Sequence, residues 1–206
     1  MTETTPRRRA PAMSTEDRKA MIVAAALPLV AEHGAAITTS QIARAAGIGE
    51  GTIFRVFTDK DEVLQACMAE AVNPDHALRE LAAISLDEPL SDRLVQAVEA
   101  LHAHLERMGT VAGALYASGH LRDRAPSGRP APGAREASMR ATQEAVAELI
   151  EPDRAALRLD PQKIAAIFLG MIFTQQRSMG EDSALTPADL VDVLLHGALH
   201  HPEADG

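Results

Sequence analysis

The sequence predicts an all-α chain, and three observations point to it. The 206 residues hold no tryptophan, four phenylalanines and one tyrosine, so the aromatic and β-branched runs that build strands are scarce. Alanine and leucine abound instead, and both are strong helix formers. Apolar residues recur at three- and four-residue spacings, punctuated by Ser, Thr, Asp, Pro and Gly where helices start and stop. The length allows a sizeable core and two modest domains.

Residues 1–14 form a Pro- and Thr-rich leader carrying Arg7-Arg8-Arg9. A disordered basic arm is expected there, either reaching a DNA groove or phosphates or, slightly favoured, lying solvated as a plain tail. The first helix is expected from Thr15 to His33, burying Ile22, Ala26, Leu29 and Val30 and ending at Gly34. Pro28 lies inside it and should bend it.

Residues 37–64 read ITTSQIARAAGIGEGTIFRVFTDKDEVL. Thr38 followed three positions later by Gln41 is a capping box. Ile42, Ala45 and Ala46 make an alanine-rich stripe that lets another helix approach closely. Gly47 suits the left-handed residue at a helix end, and Ile48 plugs the turn. A second short helix is expected from about Glu50 to Phe57, with Ile53 and Phe57 on its apolar face and Gly51, Thr52 and Arg55 pointing elsewhere. Thr58 caps a further helix whose first turn is acidic, where the helix dipole favours it. Lys60 is misplaced on dipole grounds, and a phosphate contact would account for it. Two short helices around a tight turn are a helix-turn-helix, whose second helix can enter the DNA major groove.

The segment from about Met21 to Leu64 resembles the N-terminal domain of the TetR family of bacterial transcriptional repressors. The resemblance is carried by Ile22, Ala25, Ala26, Leu29, Glu32, Gly34, Thr38, Ile42, Ala43, Ala46, Gly47, Ile48, Gly51, Thr52, Phe57, Lys60 and Leu64. It covers roughly a fifth of the chain. It implies a three-helix DNA-binding head, with Gly51, Thr52 and Arg55 facing DNA and Thr39, Ser40 and Lys60 on phosphates. Arg44 joins them or stays solvated. Phe54 stands where the family usually has a tyrosine that meets a phosphate, and Val56 where His or Tyr is common. Glu50 replaces a commonly basic residue. It either accepts from a cytosine amino group or only favours the helix N-terminus.

Beyond the motif, helices are expected from Asp59 to Val72, from Pro74 to Ile84, from Pro89 to Met108 and from Val111 to Leu121. Residues 122–133 are Pro-rich and expected to loop. Further helices should span Gly133 to Ile150, Pro161 to Met179, and Pro187 to His200. The domains implied are an arm (1–14), a DNA-binding head (15–60), a helical effector-binding and dimerisation part (61–201) and a tail (202–206). The last two long helices carry more apolar surface than one monomer's edge needs. By resemblance they form a dimer interface through Ile164, Ile167, Phe168, Met171, Ile172, Leu190, Val193, Leu194 and Gly197. The resemblance also implies a small-molecule pocket in the middle helices. Its candidates are Leu101, His102, Leu105, Met108, Tyr116, Met139, Gln143, Phe168, Met171 and Gln175, although core packing is the commoner fate of such residues.

Net charge is −9, yet residues 1–60 hold eight Lys/Arg against six Asp/Glu, and the acidic excess falls entirely later. The positive end coincides with the motif. No nucleophile–base set, phosphate loop or HExxH motif is present, so an enzyme is not expected. His102 and His104 face different sides of a helix. His196 and His200 are one turn apart but lack a third ligand in view, so neither metal nor cofactor is expected. The lone Cys67 is read as a buried, inert thiol. The apolar stretch after residue 20 is broken by Pro28, Glu32 and His33, and the run Ile164–Phe173 is too short to span a bilayer. The expected partners are therefore double-stranded operator DNA, a small-molecule effector and a second copy, with no membrane, in a bacterial cytoplasm.

Overall fold

The computed structural model describes residues 13–118, 133–177 and 185–197. Those residues form nine α-helices and no strand. They divide into two compact units, one of residues up to Ala71 with Thr110–Gly128, the other of Val72–Gly109 with the remainder. The expected arm up to residue 12, the Pro-rich loop up to residue 132 and the tail lie outside the described residues.

In the first unit, α1 (Thr15–His33) starts on Ser14, whose hydroxyl accepts the Asp17 N–H. It runs through Pro28, which is exposed. The segment Thr15–Ala36 is long and apolar enough to cross a membrane by composition. Its face is taken up otherwise: Ile22, Ala26 and Val30 are fully enclosed in the core, and α1 packs on α2 (Thr39–Ala45) and α4 (Lys60–Ala71). Gly34 ends α1 at φ +57, and a Cβ there would lie 2.5 Å from the Ala114 carbonyl oxygen, so the position has room only for glycine. The capping box at Thr38 and Gln41 forms as expected. Gly47 turns the chain at φ +67.

Three local expectations need correction here. The buried face of α2 is Ile42 and Ala43, while Ala45 is exposed. Helix α3 covers only Glu50–Ile53. Arg55 and Val56 then bond back three residues, to Thr52 and Ile53, a tight turn that still delivers Phe57 to the core. The cap of α4 is Asp59, whose carboxylate accepts the Glu62 N–H, while the Glu62 carboxylate accepts the Thr58 N–H at 2.6 Å.

In the second unit, α5 (Asp75–Ala82) packs on α7 (Ala134–Ile150), and α7 packs on α8 (Pro161–Arg177). An unexpected 3-10 segment, Glu151–Ala156, joins the last two. Helix α9 (Pro187–His196) begins at a Thr186–Asp189 capping box and stops at Gly197, φ +88, short of His200. The core holds Leu94, Val98, Leu101, Val146, Ile150, Phe168, Ile172 and Leu190. Arg93 is 1% exposed. Its Nη2 pairs with Asp153, and its Nε and Nη1 find no hydrogen-bond partner among the described residues.

Helix α6 (Leu90–Ala117) is a single 28-residue element where two helices were expected. Gly109 costs such a helix about 1 kcal/mol relative to alanine but does not forbid it. The residues around it, Leu101, Leu105, Val111 and Leu115, are all buried, and that burial outweighs the penalty.

Candidate nucleic-acid interface and cavity

The helix-turn-helix presents a coherent outer surface. Ser40, Arg44, Glu50, Gly51, Phe54 and Arg55 are exposed, and Thr39 and Thr52 are half-buried. Arg44 and Arg55 form no ion pair among the described residues. Phe54 is 51% exposed. A Cβ at Gly51 would meet nothing within 4 Å. The fold therefore does not require a glycine there, whereas close approach of a phosphate from outside would.

Two residues are engaged within the chain. The Thr39 hydroxyl donates to the Glu50 carboxylate, tying the start of α2 to the start of α3. The Lys60 ammonium donates to the Ala35 carbonyl at 2.9 Å. The dipole anomaly at Lys60 thus has an intramolecular account, since its charge leaves the α4 N-terminus for an acceptor left over from the preceding 3-10 turn. Beside it, Ser118 at the end of α6 accepts the Ala35 N–H and donates toward the Ala114 carbonyl.

The second unit contains a cavity of about 540 Å³. Its walls are three helix faces of one pattern: Leu101, His104, Leu105 and Met108 on α6; Arg135, Ser138, Met139 and Thr142 on α7; Leu169, Ile172 and Phe173 on α8. Val72 and Pro74 close it. Spacings of three, four and seven residues put each set on one side of its helix. Of the sequence candidates, Leu101, Leu105, Met108 and Met139 line this space. The others lie elsewhere. Phe168 is enclosed in the core. Gln143 donates to the Gln162 carbonyl, and Gln175 to that of Leu185. Tyr116 is 56% exposed in the other unit. His102 is half-buried and absent from the wall. His104, one turn from Leu101, was missed although the same spacing contains it. Burial, reinforced by Arg107 and His76 against Glu80, pushes its pKa down.

A second concavity is lined by Leu157, Leu159, Ile164, Ile167, Met171, Val193, Leu194 and Leu195. Of the expected interface residues, Phe168 and Leu190 are enclosed in the chain's own core, and Ile172 is buried between that core and the cavity. Ile167, 47% exposed, and the partly exposed Met171, Val193 and Leu194 remain available on the surface. Gly197 is exposed beyond α9. His196 bonds Asp192, and His200 lies outside the described residues. Among the described residues no three metal-ligating side chains converge.

Residues 22–67 match the family described as bacterial regulatory proteins, tetR family. Solved structures resemble most of the chain. PfmR, a TetR-family transcriptional regulator from Thermus thermophilus, is 18% identical with a TM-score of 0.53, over 87% of this chain and 99% of that one. The fatty acid degradation regulator FadR from Bacillus halodurans is 18% identical with a TM-score of 0.55, over 95% and 100%. A tetR-family transcriptional regulator from Streptomyces coelicolor is 16% identical with a TM-score of 0.56, over 88% and 78%. These neighbours are regulators and not enzymes, and at such identities their likeness speaks for the fold. The family match falls on the helix-turn-helix itself, so residues 22–67 are similar to the DNA-binding part of that family, and the fold around them is the one these solved regulators share.

Proposed function

We propose that the protein is a repressor that binds a palindromic operator as a homodimer and is released by a small-molecule inducer. The observation that carries this reading is the family match lying on a folded helix-turn-helix whose Phe54 and Arg55 are exposed. In this reading Arg55, Thr52 and Gly51 meet base edges or the backbone beside them, Ser40, Thr39 and Arg44 meet phosphates, and Phe54 packs on the sugar-phosphate edge. Glu50, held by Thr39, can offer its other oxygen to a cytosine amino group. Residues 15–60 are the DNA-binding head and 61–201 the effector and dimerisation part, with α4 completing the core of the head.

Two further features support the reading. The exposed apolar residues on α8 and α9 offer a self-complementary face for a two-fold dimer, and a dimer places two recognition helices on two half-sites. The cavity of the second unit offers a place for such an inducer, which must bind one state of the regulator more tightly than the other to release DNA. Such a protein acts in the bacterial cytoplasm, on the nucleoid when bound to DNA.

Selection of bound sequences from a random DNA pool at two salt concentrations tests the proposal. Enrichment of one palindrome, with affinity falling steeply as salt rises, is the expected result. Weak, salt-sensitive binding without any enriched sequence would overturn it.

A further inference from the structure

The effector reading leaves the chemistry of the ligand open, and the cavity wall narrows it. Its apolar part is continuous across α6 and α8, where Leu105, Met108 and Phe173 meet it. The polar groups are confined to His104 on α6 and to one face of α7. On that face Thr142 spends its proton on the Ser138 carbonyl at 3.0 Å, which leaves its oxygen as an acceptor only. Among the described residues the single permanent charge on the wall is the Arg135 guanidinium, which is exposed and forms no ion pair with any of them.

Among the described residues no aspartate or glutamate lines the space, although the chain holds 29 of them against 20 Lys/Arg. A cationic ligand would therefore enter with no counter-charge, which is costly in an apolar surround. A wholly neutral ligand would leave the Arg135 donors without use. An anionic group at the rim, followed by a hydrocarbon body, satisfies both parts of the wall, and a guanidinium binds a carboxylate through two parallel hydrogen bonds.

We propose that the cavity takes a monocarboxylic acid with a hydrocarbon body, its carboxylate held by Arg135 and its apolar part seated against Leu105, Met108 and Phe173. This proposal rests on the reading of the cavity as the effector site. The space, about 540 Å³, lies within the range of sites that enclose a small organic ligand. Met108 and Met139 can adjust to bodies of different shape.

Calorimetric titration of the full chain with decanoate, 1-decanol and decylamine tests it. Decanoate should bind at least about tenfold tighter than decanol, and decylamine weakest, as expected for one charge-assisted contact. Arg135→Gln should weaken decanoate by about ten- to a hundredfold and leave decanol within about twofold. Because Arg135 is exposed, this variant keeps the fold. Met139→Trp, at a partly exposed wall position, should abolish both. Equal affinity for decanoate and decanol, or a silent Arg135→Gln, would overturn the carboxylate assignment and leave the effector site standing. Failure of all three probes to bind would overturn the assignment and the effector site together, while operator selection would still report on DNA binding.

Discussion

The ammonium of Lys60 and the carbonyl of Ala35 meet at 2.9 Å across 25 residues of sequence. The bond ties the first residue of α4 to the 3-10 turn that leads into α2, so it fixes the helix-turn-helix relative to the helix that follows it. A hydrogen bond from a charged donor is worth about 1.5–3 kcal/mol when enclosed, and less at a half-buried site. Lys60→Met should therefore lower unfolding stability by about 1–2 kcal/mol in urea denaturation. It should change the salt slope of DNA binding little. Unchanged stability with a slope reduced by about one would return Lys60 to the phosphates.

Arg55 is exposed and unpaired among the described residues. Arg55→Ala should leave thermal stability within about 0.5 kcal/mol, as for other surface changes. It should weaken operator binding by about 1–3 kcal/mol and relax preference at one base pair. Equal weakening on every sequence tested would make Arg55 a phosphate contact.

Arg93 is enclosed and Asp153 is only partly so. Asp153→Ala should cost about 2–4 kcal/mol, somewhat below a fully buried pair, because it leaves the guanidinium with no acceptor among the described residues. The double replacement Arg93→Leu with Asp153→Ala should recover much of that loss. Denaturation midpoints of the two variants decide it, and a double variant no better than the single would mean that the arginine stem, and not its charge, supports the fold.

The Thr58 backbone N–H, aided by Lys19, holds the Glu62 carboxyl below the ordinary glutamate value of 4.5. A depressed folded pKa means stability that is fully present above that value and lost as pH falls through the folded pKa. Glu62→Gln should flatten the acid arm of the stability curve below pH 4.5 and leave the neutral region almost as it was. Parallel acid arms in the two proteins would show that the bridge contributes nothing measurable.

Ile167 projects from α8 with half its surface exposed, beside the partly exposed Leu194. Ile167→Glu should convert a dimer to a monomer in sedimentation and lower operator affinity by about a hundredfold, as expected when two half-sites are no longer bound together. A wild-type protein that sediments as a monomer at micromolar concentration would remove the dimer from the proposed mechanism.

What the sequence displayed was local chemistry. The Thr38–Gln41 box and the turn at Gly47 each depend on a few neighbouring residues, and both stand as read. The extent of α3 was overread because Phe57 shares its apolar spacing, yet a tight turn delivers the same ring to the same core. The two helices expected to Met108 and from Val111 are one, because burial on both sides of Gly109 outweighs its low helix propensity. The α7 wall was hidden for another reason. Helical spacing marks which residues share a face, but not whether that face meets a neighbour or a void, and the same stripe serves a packed core equally well. The apolar stripe of α8 shows this directly, since Phe168 is enclosed while Leu169 and Ile172 reach the cavity.

Cys67 is fully enclosed between helices, and burial pushes its thiol up to about 12. The only sulfhydryl in the chain is thus silent toward alkylating reagents at neutral pH. A cysteine introduced at an exposed site such as Ser40 would be the only reactive one, so a spin label or dye can be attached there without first replacing Cys67. In a two-fold assembly each molecule would then carry one label per head, and the spread of label-to-label distances would report head separation with and without a bound effector.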